Sequence, residues 1–196
     1  MLQKIFLIDH SATLITAWQQ AFLGCDNVEV FLGDFFSHHA DAMVSPANSF
    51  GIMDGGLDLA IRYELGFDVE QKVQKAILDD FYGELPVGAA VIVETNHEKW
   101  PFLIAAPTMR VPENISKTLN AYVAFRAVLL AIQRHNETSH RKINSFVCSG
   151  LGTGVGGVDP QKCAQQMHAA FLSMSKPARI ASYNEIRSQH KKLHTI

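Results

Sequence analysis

Two glycine-rich segments carry the strongest chemical signal in this sequence. In Ser149-Gly150-Leu151-Gly152-Thr153-Gly154-Val155-Gly156-Gly157-Val158-Asp159-Pro160, five of the chain's 13 glycines fall within residues 150–157. Glycine loses more backbone freedom on folding than any other residue, so a cluster implies a requirement on the backbone itself. The usual requirement is a loop whose N–H groups turn inward and come close to an anion. A ligand-free turn is the plainer alternative, although one or two glycines would serve it. The second segment runs Ala42-Met43-Val44-Ser45-Pro46-Ala47-Asn48-Ser49-Phe50-Gly51-Ile52-Met53-Asp54-Gly55-Gly56-Leu57-Asp58, a buried strand followed by a Pro/Asn/Gly loop. Gly55-Gly56 then opens a short helix, whose start offers unpaired N–H groups and the positive end of the helix dipole. Together the two loops suit a diphosphate gripped by main chain alone, because the chain has no GxxxxGK[ST] phosphate loop. A third feature, Leu32-Gly33-Asp34-Phe35, puts an acid at a strand end, where a turn or cap is the ordinary role. Asp58 has an ordinary role too, as a first-turn acid complementing the dipole.

These loops need rigid elements to hold them. Short apolar runs at residues 4–8, 28–32, 42–45, 89–94, 102–106, 145–149 and 179–183 are predicted strands. Several, such as Val91-Ile92-Val93, are apolar throughout, the pattern of strands covered on both faces. Amphipathic stretches alternate with them. Residues 12–22 carry Leu14, Trp18 and Phe22 at four-residue spacing with Gly24 as a stop, and residues 68–81 carry Val69, Val73, Ile77 and Phe81. Residues 116–135 form a long apolar helix, and residues 159–174 a helix with Asp159 as N-cap and Pro160 at its first position. The basic stretch 187–192 is expected as a solvated tail.

At 196 residues the chain has the length of one domain, spanning residues 1–196. Its 47% apolar content excludes disorder, and a net charge of −2 argues against a broad nucleic-acid-binding face. No apolar run is long enough to span a membrane, and residues 1–9 contain too short an apolar stretch for a signal peptide. A soluble, cytoplasmic domain is expected. Cys25, Cys148 and Cys163 form neither a disulfide framework nor a metal half-site, with Cys148 read as a small buried apolar residue. Among nine histidines the close pair is His38-His39, and adjacent residues do not face one ligand, so no metal and no cofactor are expected.

The ordered motifs resemble the macro domains, a family that binds ADP-ribose. Their recurring text is Gly-Asp-Ile-Thr, then Asp-Ala-Ile-Val-Asn-Ala-Ala-Asn, a loop ending Gly-Gly-Val-Asp, and later a second glycine-rich loop. Here the counterparts are Gly33-Asp34-Phe35, Asp41-Ala42-Met43-Val44-Ser45-Pro46-Ala47-Asn48, Gly55-Gly56-Leu57-Asp58 and the loop at 150–157. Asp58 follows Asn48 by ten residues, the spacing of the MacroD-type hydrolases. Pro86-Val87-Gly88-Ala89-Ala90-Val91 and Ile104-Ala105-Ala106-Pro107 resemble later strand starts and ends, so the likeness covers residues 26–185.

The resemblance implies an α/β fold, a three-layer α/β/α sandwich on a mixed, mostly parallel sheet of six or seven strands. It implies that Asp34 accepts a hydrogen bond from the adenine amino group beside the Phe35 N–H. Asn48 would hold the distal ribose. Gly55, Gly56 and Leu57 would offer main-chain donors near the diphosphate, and Gly152, Thr153, Gly154, Val155 and Gly156 would wrap it from the other side. Tyr183 would stand beside the adenine, with simple packing as its alternative role. Asn48 and Asp58 are the candidate catalytic residues. The chain departs from the family text at Ser45, Pro46, Met53 and Asp54, at Arg62 where MacroD-type enzymes carry His, and at Gly156 where an aromatic usually covers the distal ribose. The expected partner is ADP-ribose or an ADP-ribosylated macromolecule, with hydrolysis of mono-ADP-ribosyl or O-acetyl-ADP-ribose linkages as the catalytic expectation. A non-catalytic reader or scaffold is the alternative. A dinucleotide-binding oxidoreductase, suggested by Gly152-x-Gly154-x-x-Gly157 with Glu185 downstream, is disfavoured because only eleven residues follow Glu185.

Overall fold

A computed structural model describes residues 4–194. Residues 1–3 of the signal-peptide reading, and residues 1–3 and 195–196 of the single-domain expectation, lie outside the described residues. The chain forms β1 (Lys4–Asp9), α1 (Ala12–Ala21), β2 (Val28–Leu32), a 3-10 turn (Phe35–Ser37), β3 (Ala42–Ser45), α2 (Gly56–Leu65) and α3 (Asp68–Phe81). Then follow β4 (Val91–Glu94), β5 (Phe102–Ala105), α4 (Asn120–Thr138), β6 (Ser145–Cys148), α5 (Pro160–Met174) and α6 (Tyr183–His194).

The six strands lie in the order β2-β1-β6-β3-β5-β4. All neighbouring pairs are parallel except β4 against β5. Parallel neighbours need crossovers, and the helices that make them cover both faces, so β3 and β5 are buried at every position. One apolar layer joins Leu14 and Trp18 of α1, Phe125 and Val128 of α4, and Met167 of α5 to Ile5, Val44, Ile104 and Phe146 of the sheet. The other joins Ile61 of α2 and Val69, Val73 and Ile77 of α3 to Met43, Leu103 and Val147. This is the expected three-layer sandwich, with six strands. Cys148 and Cys163 are buried as apolar residues, and burial pushes the Cys163 thiol up to about 12.

The end of the chain departs from expectation. Residues 179–183 form no strand, and the basic stretch 187–192, solvent-exposed throughout as expected, is helical, within α6. The physical reason is a capping box. The Ser182 hydroxyl and backbone N–H both donate to Glu185 Oε2 at 2.8 Å, while the Glu185 N–H donates back to Ser182 Oγ at 3.4 Å. Helix capping outcompetes the short apolar run Ile180-Ala181, whose isoleucine is left 97% exposed. α6 docks on α5 through the buried Leu193, whose carbonyl accepts from Gln166 Nε2 at 3.4 Å. Among the described residues no helix is long and apolar enough to cross a membrane.

Candidate functional site

β3 and β6 are adjacent and parallel, so the loops that follow them leave the sheet at the same end. The carboxyl end of β1 and the Asp34 turn after β2 lie along the same edge. The loop after β5 ties these pieces together. Asn48 bridges Met109, the Ser49 N–H donates to the Arg110 carbonyl at 3.2 Å, and the Ile115 N–H donates to the Gly156 carbonyl at 2.9 Å. The loops holding residues 54–57 and 152–157 therefore leave the sheet at the carboxyl ends of its strands, where open α/β sheets form their ligand crevice.

The first loop is built by its own side chains. Asn48 Oδ1 accepts from the N–H groups of Phe50 at 3.1 Å and Ile52 at 3.3 Å, while Nδ2 donates to the Ile52 carbonyl at 2.7 Å. The Met53 N–H donates to Glu70 Oε1 of α3 at 2.9 Å, and the other oxygen of Glu70 holds Arg62 at 2.6 Å. Beyond Met53 the pattern changes. No acceptor among the described residues takes the N–H of Asp54, Gly55, Gly56, Leu57 or Asp58.

The second loop repeats this plan. Asp9, at the end of β1, accepts from the Ser11 N–H at 2.9 Å, the Ser149 hydroxyl at 2.7 Å and the Gly150 N–H at 3.2 Å, latching the loop's base to α1. Within the loop, Thr153 Oγ1 donates to the Gly150 carbonyl, Gly157 N–H to Gly154, and Val158 N–H to Gly152. The N–H groups of residues 152–156 again meet no acceptor among the described residues. Neither loop contains Lys or Arg, so any attraction for an anion is a main-chain attraction.

The glycines divide by task. A Cβ at Gly156 would lie 2.5 Å from the Gly152 carbonyl oxygen and 2.6 Å from Ile115, and one at Gly150 would lie 2.5 Å from Leu14. These glycines, with Gly152 against Ile115, allow the loop to fold on itself. Gly154, Gly55 and Gly56 instead face open space. Gly156→Ala is therefore expected to lower stability by about 1–3 kcal/mol through an unrelievable backbone clash. Gly154→Ala should leave the melting temperature within a degree or two, and thermal melting of the two variants side by side checks this.

Asp34 caps the 3-10 turn: Oδ1 accepts from the Phe36 N–H at 3.0 Å, and Oδ2 accepts no hydrogen bond from the described residues. Phe35 turns its ring into the core. Tyr183 stands 74% exposed at the first turn of α6, not at a strand end, because no strand forms there. The structure thus places Asn48, Gly55–Leu57, Asp58 and residues 152–156 in loops at the same end of the sheet as the Asp34 turn, and places Tyr183 on a helix and not at a strand end.

Asp58 is the electrostatic outlier. It is 9% exposed, and Oδ1 accepts from the Ser45 hydroxyl at 2.5 Å. Burial pushes its carboxyl up to about 6; the Ser45 bond opposes the rise and the Asp54 charge adds to it. Sequence reasoning did not single out Asp9, Glu70 or Ile115, and took Ser45 only as a departure. A usable signal existed for Asp9, since Asp-x-Ser before a helix resembles a capping turn. Among the described residues no group of three His, Cys, Asp or Glu is placed to hold a metal.

Comparison with known proteins agrees with this architecture. The model of the Macro domain family matches residues 44–167. An uncharacterized protein of Aquifex aeolicus is 34% identical over 143 residues, covering 72% of this chain and 78% of that one. Another uncharacterized protein, from Aeropyrum pernix, is 32% identical over 160 residues, covering 81% and 78%. Among solved structures, the macrodomain of Mycobacterium tuberculosis DarG superposes with a TM-score of 0.61 at 23% identity, covering 74% of this chain and 89% of that one. A mutant Oceanobacillus iheyensis macrodomain with ADPR gives 0.58 at 16% identity, covering 82% and 89%. Sheet order, loop placement and the family match over residues 44–167 lead to one conclusion: the chain belongs to the Macro domain family.

Proposed function

We propose that the crevice binds ADP-ribose, free or attached to a macromolecule. One observation carries this reading: two runs of N–H groups without acceptors among the described residues, at residues 54–58 and 152–156, lie in loops that leave the same end of the sheet. A diphosphate supplies the acceptors that these groups lack. The Oceanobacillus iheyensis relative, solved with ADPR, supports the choice of ligand. Asp34 Oδ2 takes the adenine amino hydrogen, with the Phe35 N–H beside it. Asn48 reaches the distal ribose with the amide hydrogen that Ile52 does not use. Asp34→Ala is expected to weaken ADP-ribose binding by about 1–3 kcal/mol, roughly 5- to 150-fold, through loss of a charge-assisted hydrogen bond. Titration calorimetry on wild type and variant tests this, and no wild-type affinity below the millimolar range refutes it.

Hydrolysis of mono-ADP-ribosyl or O-acetyl-ADP-ribose linkages is the second reading, favoured by the buried Asp58 carboxyl at the crevice. Glycosyl transfer passes through an oxocarbenium-like state, which gains from a positioned water and from ribose contacts that tighten as charge develops. Asp58 would orient the ribose or the water and Asn48 the sugar. Release of ADP-ribose from a modified protein by wild type, lost in Asp58→Ala at substrate concentrations that still saturate the weaker-binding variant, separates the hydrolase from a reader.

A further inference from the structure

The residue that departs from the family text beside the candidate acid has a structural partner. Ser45 ends β3 and is 1% exposed, and its hydroxyl donates to Asp58 Oδ1 across the β3–α2 contact. Asp58 Oδ2 has no partner among the described residues. Unlike Trp18 Nε1 and Arg62 Nε, which among the described residues are sealed from solvent with no partner, it retains contact with solvent. The carboxylate is thus held by one oxygen and open at the other.

We propose that Ser45 is a positioning residue, whose hydroxyl fixes Oδ1 of Asp58 so that Oδ2 faces the crevice and accepts a ribose hydroxyl. This rests on the ADP-ribose reading above. The charges around Asp58 are few. Asp54 in the preceding loop repels it. Arg62, one turn further along α2, is engaged by Glu70 of α3. β3 itself, Ala42–Ser45, brings none. Ser45 is therefore the group that most directly favours the ionised acid, and removing it must also raise the pH at which Asp58 ionises.

The test is ADP-ribose affinity by calorimetry from pH 5 to 8, with thermal melting at each pH, on the full chain. Wild-type affinity is expected to rise with pH through a midpoint near 6, where the Asp58 carboxyl ionises. In Ser45→Ala the midpoint moves up by about one pH unit, so affinity near pH 6 falls roughly fivefold further than at pH 8. Asp58→Asn should abolish the profile. Should Ser45→Ala fold poorly, Ser45→Cys, similar in shape and a weak donor, should show a shift in the same direction. Wild type that binds with the same midpoint as both Ser45 variants overturns the proposal and leaves the ADP-ribose reading intact. Wild type that does not bind overturns both. A uniform loss of affinity with an unmoved midpoint would reduce Ser45 to a packing role and equally overturns it.

Discussion

Replacing Asp58 with Asn raises the stability of this protein at pH 7.5, by about 3 kcal/mol. The folded chain holds the Asp58 carboxyl near 6, against an ordinary value of 3.8. Burial is the main cause, with the Ser45 bond pulling the other way. The folded state therefore binds more protons than the unfolded state between pH 3.8 and about 6, and stability falls as pH rises through that window. Above it the deficit is constant. A rise from 3.8 to about 6, at about 1.4 kcal/mol per pH unit, amounts to about 3 kcal/mol. Asparagine keeps an oxygen for the Ser45 hydroxyl and carries no charge, so it removes the deficit while preserving the bond. At roughly 2–4 °C per kcal/mol for a chain of this size, the melting temperature at pH 7.5 rises by about 6–12 °C. At pH 4.5 the gain shrinks, because the wild-type acid is then largely neutral. Calorimetric melting of both proteins at the two pH values checks the magnitude and the sign. An equal melting temperature at pH 7.5 would mean that Asp58 is not a costly buried charge. A protein that keeps such a charge sacrifices stability at that position, which is the pattern of groups retained for function.

The parts of the fold that could be read from the sequence are those written in local periodicity. The α3 stripe, Val69 to Val73 to Ile77, specifies its own face, and the helix forms over residues 68–81 as expected. The apolar-throughout β5 declares itself doubly covered, and Asp159-Pro160 announces the start of α5. The glycine loops were legible as loops, but their glycines were not legible by task. The need for Gly156 comes from Ile115, some forty residues upstream, and no local pattern carries that information. The same holds for the latches. Asp9 reaches Ser149 over a separation of 140 residues, and Ser45 reaches Asp58 only because α2 folds back onto β3. Asn48, implied as a ribose contact, spends most of its amide on shaping its own loop, a competition that spacing alone cannot reveal. At the C-terminus a local signal was present and outweighed: Ser182-x-x-Glu185 specifies a helix start, while Ile180 and Ala181 suggested a strand.

Trp100→Ala is expected to be the most damaging single change on the Asp34 side of the crevice. Trp100 lies at the start of the approach to β5, fully buried, with its Nε1–H donating to the His38 carbonyl at 2.8 Å. His97 stacks on its ring at 5.0 Å and Phe36 meets it edge-on at 6.0 Å. The side chain therefore clamps the β4–β5 turn to the segment that carries Asp34, Phe35 and Phe36. Truncation to Ala removes a large buried aromatic and costs about 3–5 kcal/mol. It also strands the His38 carbonyl in a half-buried site. The melting temperature should fall by roughly 6–20 °C at 2–4 °C per kcal/mol. Trp100→Phe separates the two contributions, since it refills much of the volume and leaves only the carbonyl unpaired, for about 1–3 kcal/mol. Because the clamp fixes where Asp34 stands, ADP-ribose binding measured well below the melting transition should weaken in Trp100→Ala, whereas Gly154→Ala leaves the Asp34 segment untouched. Melting of Trp100→Ala within two degrees of wild type would show that the turn and the Asp34 segment hold their positions without it.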